Sequence, residues 1–371
     1  VDQKNQQAFC SLLLQSDFDR LSKAAEHIAH VADLTDVDIA EAHLSRQLAT
    51  EADAQIAPIR AVLDFWRALR WLVPGWPVSE INQLSKLLPP VDGKIHPILE
   101  GLTQLLAPNH NLVQVLGAGV LEGCDAANAL MAQARQLAKR ETFFHWWITF
   151  QTAAPAGFDA VIGNPPWDRI KLQEVEWFAE RNPTVAAQAR ASDRKKMIAA
   201  LRHTPLGLQY QEACQRAETN ARVLGNGKHG SGEYPLLGGG DVNLYSLFVE
   251  RAQSLINPQG IVALVTPSGI AADKGAAPFF RSISSTGRLY ALFDFENRKY
   301  FFPDVDSRFK FCVLVFGNVP SPDPTHCAFF LHSLYELENE PGRTLFLTHE
   351  DFARVNPNTG AAPIFRNRRN A

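Results

Sequence analysis

Long apolar runs are missing from this 371-residue chain. No window approaches the ~18 consecutive apolar residues of a membrane span, so no partner membrane is expected. The opening VDQKNQQAF lacks the basic-then-apolar pattern of a secretory signal. Cysteine is scarce: five residues, at 10, 124, 214, 312 and 327, odd in number and without a C-x-x-C pair. That usage argues against a disulfide framework or a zinc site and fits reduced thiols in a cytoplasmic protein. Charge of one sign is lacking too, with a net of only −3. What the chain does have is core material. At 46% hydrophobic, with 23 Phe and 7 Trp, it can fill two or three domains.

The near-neutral total hides an asymmetry. Residues 1 to 100 carry nine Lys/Arg against fourteen Asp/Glu, whereas residues 181 to 230 carry nine basic residues against Asp193, Glu212 and Glu218. A basic segment suits contact with a phosphate backbone, and Arg194, Lys195 and Lys196 are its densest point. A solvated helical face is the plain alternative.

Up to about residue 145, apolar residues recur at three- and four-residue spacing, as in DVDIAEAHLSRQLATEADAQIAPIRAVLDFWRALRWLV, which predicts helices. From 158 onward strand and helix alternate. Strands are expected at 158–163, 260–266, 288–295 and 310–317, with a helix over 243–257. Between 168 and 235 lies a polar helical insertion that ends in LGNGKHGSGEYPLLGGGD. This Gly-rich run follows no strand and has no P-loop Lys-Ser/Thr, so a flexible loop is the expectation.

The chemistry concentrates in FDAVIGNPPWDRIKL, residues 158 to 172. A short apolar strand runs into Asn164-Pro165-Pro166-Trp167, where the prolines stop both strand and helix. The result is a stiff platform at the carboxyl end of a strand, where open α/β sheets bind ligands. An exocyclic amine on an aromatic ring is a poor nucleophile because the ring withdraws its lone pair. Acceptors for its two N–H groups make the nitrogen more tetrahedral and free that pair. Asn164 offers a side-chain carbonyl and Pro165 a backbone carbonyl with little freedom, which amounts to electrostatic preorganisation. Trp167 offers a face for a base taken out of its stack.

Asn-Pro-Pro-aromatic behind a strand resembles the signature of amino-methyltransferases that use S-adenosylmethionine, above all the DNA N6-adenine methyltransferases. FFHWWITF…GFDAVIGNPPWDRIKLQEVEWFA, GGGDVNLYSLFVERAQSLINPQGIVALVTPSGIAADKGAAPFF, LYALFDFENRKYFFPDVDSRFKFCVLVFG and NPNTGAAPIFRNRR are similar to the large adenine-specific methylases of restriction–modification and phage-defence systems. The resemblance covers most of residues 143 to 369.

It implies an α/β fold: a Rossmann-like methyltransferase sheet, here its catalytic half, with a large helical N-terminal region. It also implies double-stranded DNA and restriction or defence-system subunits as partners. Asn164 and Pro165 would accept from the target amine, Pro166 would hold the turn, and Trp167, where Tyr or Phe is commoner, would stack on the adenine. YFFPDV resembles the segment whose Phe lines the base's other side, which makes Phe302 a second wall. Asp241 and Asn243 would order the loop over the site, with the N-cap of the following helix as the equal alternative for Asp241.

The family's acidic Gly-x-Gly cofactor motif is expected before the catalytic one. VQVLGAGVLEG (113–123) is the one Gly-x-Gly run ahead of Asn164, but it lacks the acidic residue and has helical flanks. The cofactor motif is therefore expected upstream of Val1. On that basis 1–145 is a helical insertion between the two motifs, 146–318 the catalytic region with its basic insertion at 168–235, and 319–371 a linker and the start of a target-recognition domain. Three rival readings stay open: a glutamine or RNA amino-methyltransferase, a non-catalytic DNA-binding remnant, and a nuclease built on Asp294 and Glu296 of DFENRK.

Overall fold

The computed structural model describes residues 15–34, 39–77, 84–150, 156–298, 301–356 and 361–362. The chain divides into two compact units. Residues up to Ala156, with Lys228–Glu233, form the first; Gly157–Gly227 and Tyr234 onward form the second.

The described part of the first unit is helical, as the periodicity predicts. Its elements are α1 (Gln15–Asp33), α2 (Ile39–Leu72), α3 (Leu84–Leu87), α4 (Pro97–Leu105), α5 (Leu112–Ala118), α6 (Asp125–Arg140) and α7 (Trp146–Thr149). Along α2, Ile56, Ile59, Val62, Phe65 and Leu69 repeat at three- and four-residue steps and form one buried stripe. Leu102 and Leu105 of α4 and Leu130 and Met131 of α6 join it in a single core. Local signals set the ends. Asn111 accepts from the Gln114 amide at the start of α5, and Gly119 ends that helix in the left-handed conformation. Asp125 opens α6 and Lys139 and Arg140 close it, each sign suiting its end of the helix dipole.

The second unit is a six-stranded mixed sheet. Its strands are β1 (Phe158–Gly163), β2 (Ile256–Pro267), β3 (Leu289–Glu296), β4 (Lys310–Gly317), β5 (Thr325–Leu331) and β6 (Thr344–Leu347). The spatial order is β1-β2-β4-β3-β5-β6. β1 runs parallel to β2, with Val161 opposite Val262. β4 is antiparallel to both β2 and β3, so β1, β2 and β3 share one direction. β5 is parallel to β3, and β6 returns antiparallel to β5. All four expected strands thus lie in one sheet, with the strand at 310–317 antiparallel as expected. The α/β fold class stands.

Two details differ from the sequence reading. The helix expected over 243–257 ends at Leu255 and β2 begins at once, four residues early. The sheet also continues past Gly317, because THCAFFL and TLFL supply two more strands.

Residues of β2 alternate between buried (Val262, Leu264, Thr266) and half-exposed (Ala263, Val265). The buried set packs with α12 (Leu244–Leu255), α13 (Gly269–Ala272) and α14 (Ala277–Ser284) through Tyr245, Ile270, Phe279 and Phe280. Because β1, β2, β3 and β5 point the same way, Asn164, Ser268, Asn297 and His332 all lie just beyond the strand ends on one edge of the sheet.

Candidate functional site at the carboxyl edge of the sheet

Asn164 follows the last residue of β1, an edge strand, and is exposed; Pro165 is buried and Pro166 exposed. Among the described residues nothing donates a hydrogen bond to the Asn164 side chain or to the Pro165 carbonyl. Neither acceptor has a donor among those residues, and the buried ring of Pro165 restricts the carbonyl that follows it.

The chain leaves this platform along a short pairing. The Ile170 amide donates to the Val242 carbonyl at 3.2 Å and the Leu244 amide to the Asp168 carbonyl at 2.9 Å, around an isolated bridge between Arg169 and Asn243. The GGGDVN stretch is thereby laid beside the chain that leaves Asn164–Trp167. Its N-cap residue for α12 is Asn243, so Asp241 is not the cap; its carboxylate instead lies 4.0 Å from Arg169.

The Gly-rich run also departs from expectation, since its second half is built into the fold. The Glu250 carboxylate, which is buried, accepts from the Leu236 and Leu237 amides at 3.0 and 2.8 Å. Burial pushes its pKa up even though those two donors pull it down. At Gly238 an added Cβ would stand 2.5 Å from the Tyr234 carbonyl oxygen, so only glycine fits this turn. Within the first unit, Glu233 of the same run pairs with Arg67 and Arg70 of α2.

Trp167 is half-buried and packs against two hydrophobic clusters of the sheet unit. Its ring meets that of Phe302 edge-to-face, with centroids 6.0 Å apart and planes at 68°. Phe302 in turn lies against Phe311, the second residue of β4, at 5.2 Å. The structure therefore brings Asn164, Pro165, Pro166, Trp167 and Phe302 to one place. It does not bring Arg194 there as a free cation. Arg194 donates to Glu174 at 3.0 Å and to the Gln188 carbonyl at 3.2 Å. Lys195 and Lys196 remain exposed on α10 (Ala191–Ala200), a helix without a buried residue; it follows α8 (Glu174–Arg181) and α9 (Pro183–Ala186) and precedes α11 (Pro205–Leu224).

Sequence reasoning named Asp294 and Glu296 as a rival nuclease pair, with a structural strand end as the alternative, but not the partners they hold at this edge. Asp294, buried near the end of β3, accepts from the Ser268 hydroxyl and from the Phe330 amide at 3.4 Å. Burial raises its pKa. Glu296, one turn of the pleat further on, accepts from Arg298 and His332 and pairs with Lys310 at 3.1 Å; these partners hold its pKa down to about 2. A depressed carboxylate stabilises the fold above its ordinary pKa of 4.5, and that contribution fades as pH falls toward 2. The melting temperatures of wild type and Glu296→Gln should therefore differ most near pH 6 and converge in acid, as a thermal melt series would show. Asp294 and Glu296 are each engaged with neighbouring side chains that tie strand ends together, which makes them structural groups rather than the start of a nuclease site. The signal was in the sequence, as the polar letters of TPSG and DFENR at predicted strand ends.

Among the described residues, the Gly-x-Gly run ahead of Asn164 does not form a cradle for the methionine end of a cofactor. Gly117 and Gly119 close helix α5: a Cβ at Gly117 would stand 3.0 Å from Pro58 of α2, and Gly119 is the left-handed cap. These glycines serve helix packing and termination, with no strand before them. Cys312 and Cys327 are buried thiols in β4 and β5 whose pKa values burial pushes up to about 12, so they are inert at neutral pH. Cys10 lies outside the described residues. Among the described residues no helix is long and apolar enough to cross a membrane.

Distant matches among solved structures include proteins of restriction–modification systems. A type I restriction-modification system methyltransferase subunit from Streptococcus thermophilus is 10% identical over 87% of this chain and 70% of that one, with a TM-score of 0.33. The EcoKI M protein, from a type I restriction enzyme, is 14% identical over 94% and 79%, with a TM-score of 0.22. A nuclease-deletion mutant of the Type ISP enzyme LlaGI, solved with a DNA substrate mimic, is 12% identical over 66% of this chain, which spans 16% of that one, with a TM-score of 0.23. These likenesses are distant, and the chemistry rests on the geometry above. No curated protein sequence matches the chain. Residues 100–197, which run from α4 through β1 and Asn164–Trp167 into the basic insertion, match the model of the Eco57I restriction-modification methylase family.

Proposed function

We propose that this chain carries the catalytic half of a DNA methyltransferase of a restriction–modification or phage-defence system. Its reaction is transfer of a methyl group from S-adenosylmethionine to the N6 amino group of an adenine flipped out of double-stranded DNA. One observation carries the reading. Two acceptors, the Asn164 amide oxygen and the Pro165 carbonyl, follow the carboxyl end of β1 with no donor among the described residues, directly ahead of Trp167, whose ring meets Phe302. An arylamine that donates one N–H to each acceptor has its lone pair turned toward the incoming methyl group. When bound, the cofactor supplies an electrophilic methyl; no residue of this chain is assigned to holding it. Trp167 gives the base a π-face once it has left the helix.

On the same reading, residues 1–145 stand between the cofactor and catalytic motifs and 146–318 hold the catalytic region. Residues 319–371 lead, by way of β5 and β6, toward a target-recognition domain. Restriction or defence-system subunits are the proposed protein partners. The test uses the full-length protein, labelled S-adenosylmethionine and unmethylated genomic DNA, followed by digestion to nucleosides. Label in N6-methyladenine is the expected result. Label on cytosine, on RNA alone or on a protein glutamine would overturn it.

The basic insertion is assigned to the phosphate backbone. Reversal of Lys195 and Lys196 to Glu should weaken binding to all DNA sequences alike, because phosphate contacts position a protein without reading bases. The slope of log affinity against log salt should fall by about 0.9 for each phosphate no longer neutralised. Arg194→Glu should act differently, through disruption of the Glu174 pair, and lower the melting temperature. An unchanged salt slope in the double Lys variant would remove the insertion from the DNA interface.

A further inference from the structure

The thirteen residues that join β3 to β4 form a long connection, and its ordering at Phe302 has an identifiable source. Asn297, the first residue of that connection, is 1% exposed. Its side-chain Nδ2 donates to the carbonyls of Phe302 and Val305, both at 3.0 Å. Its Oδ1 accepts from the Phe302 amide at 3.1 Å. The opposite placement of the amide would set oxygen against two carbonyls, so the donors and acceptor are matched in one orientation only. Asn297 also donates its own amide to the Phe309 carbonyl at 3.3 Å, near the far end of the connection. The next residue, Arg298, has φ +36°, a conformation that a non-glycine residue holds only when its surroundings impose it. A buried side chain therefore takes both backbone polar groups of Phe302 and fixes the residue whose ring meets Trp167.

We infer that Asn297 is a positioning residue, which presets Phe302 as the second wall of the base pocket before the base arrives. The inference rests on the proposed function, since it needs Phe302 to touch the flipped base. The physical argument is preorganisation. A ring carried on a free loop must be ordered at the moment of binding, and that cost weakens capture; a ring whose backbone is already held avoids it. The edge-to-face packing of Phe302 on Trp167 leaves no slot between the rings. The base is therefore admitted by rotation of the Phe302 side chain, with the backbone held at both its N–H and its C=O. Ser or Asp at 297 cannot reproduce the set: Asp keeps the acceptor for the Phe302 amide but turns a carboxylate on the Phe302 and Val305 carbonyls.

The experiment is a double-mutant cycle in the full-length enzyme, with labelled methyl transfer to unmethylated genomic DNA as the readout. Phe302→Ala should raise the KM for DNA about tenfold, the scale of removing one base–aromatic stack. Asn297→Ala and Asn297→Asp should raise it by a similar factor while kcat falls less. The decisive result is the pair: in the Phe302→Ala background, Asn297→Asp should add little, because its effect passes through that ring. Additive losses, or a fall in kcat at unchanged KM, would overturn the positioning role and leave Asn297 a structural residue. If Phe302→Ala alone leaves the KM unchanged, the wall reading of Phe302 fails and this inference with it, while the assignment of Asn164 and Pro165 is untouched. Should Asn297→Ala not fold, Asn297→Asp, nearly isosteric, carries the cycle by itself.

Discussion

Asn164→Ala in the full-length enzyme should reduce kcat for methyl transfer to DNA by about 10²–10³-fold, the scale of removing one preorganised donor or acceptor at a reacting centre. The melting temperature should hardly move, because the side chain is exposed and no described residue bonds to it. That split is the diagnostic feature. A residue that supports the fold loses stability and activity together, whereas one whose only partner is the transition state loses activity alone. Asn164→Asp retains an acceptor oxygen at the same place and should retain more activity than the alanine variant. The KM for DNA should change little in either, since the proposed stacking and phosphate contacts are assigned to Trp167, Lys195 and Lys196. Labelled-methyl kinetics and a thermal melt on the same preparations decide it, and an alanine variant with more than half the activity sinks the assignment of Asn164.

Periodicity and punctuation explain why this part of the site was legible. A strand of alternating or continuous apolar residues followed by two prolines has few structural solutions, and each puts Asn164 at a strand end. The helices of the first unit were equally plain, since apolar spacing on α2 continues over 34 residues. β5 and β6 were not legible as part of the sheet, although THCAFFL is apolar. Pairing partners are a long-range property: β5 joins through β3, some thirty residues back, and nothing local announces that. The Gly-rich run failed for a related reason. Its order comes from Glu250, a helical residue more than ten positions away, whose buried carboxylate caps two amides of the loop.

Nor could the pattern show how the basic segment divides its charges. Arg194, Lys195 and Lys196 are consecutive letters, but a helix turns each by about 100° from the last. Arg194 thus reaches back to Glu174 while its two neighbours face solvent. Asn297 illustrates the limit best. A single Asn after a strand is unremarkable as sequence, and its role depends on Phe302 and Val305 closing a turn over it.

Trp167→Ala should weaken base capture and the fold together, unlike Asn164→Ala. The ring packs against two hydrophobic clusters of the sheet unit and meets the Phe302 ring edge-to-face. Truncation of a buried aromatic costs about 3–5 kcal/mol, and a half-buried one should fall toward the lower end. Loss of the stacking face adds a separate deficit, about 1–3 kcal/mol per base, read as a higher KM for DNA. Trp167→Phe separates the two. The indole Nε1 is buried and finds no hydrogen-bond partner among the described residues, so the swap to Phe removes an unsatisfied donor along with part of the ring. Its melting temperature should therefore stay much closer to wild type than that of the alanine variant, and a π-face remains for the base. The order expected for DNA KM is wild type, then Trp167→Phe, then Trp167→Ala, at a kcat that changes far less than in Asn164→Ala. Equal KM values across the three, with stability alone affected, would make Trp167 a core residue that happens to follow Pro165 and Pro166, and the stacking surface would have to be sought elsewhere on the carboxyl edge.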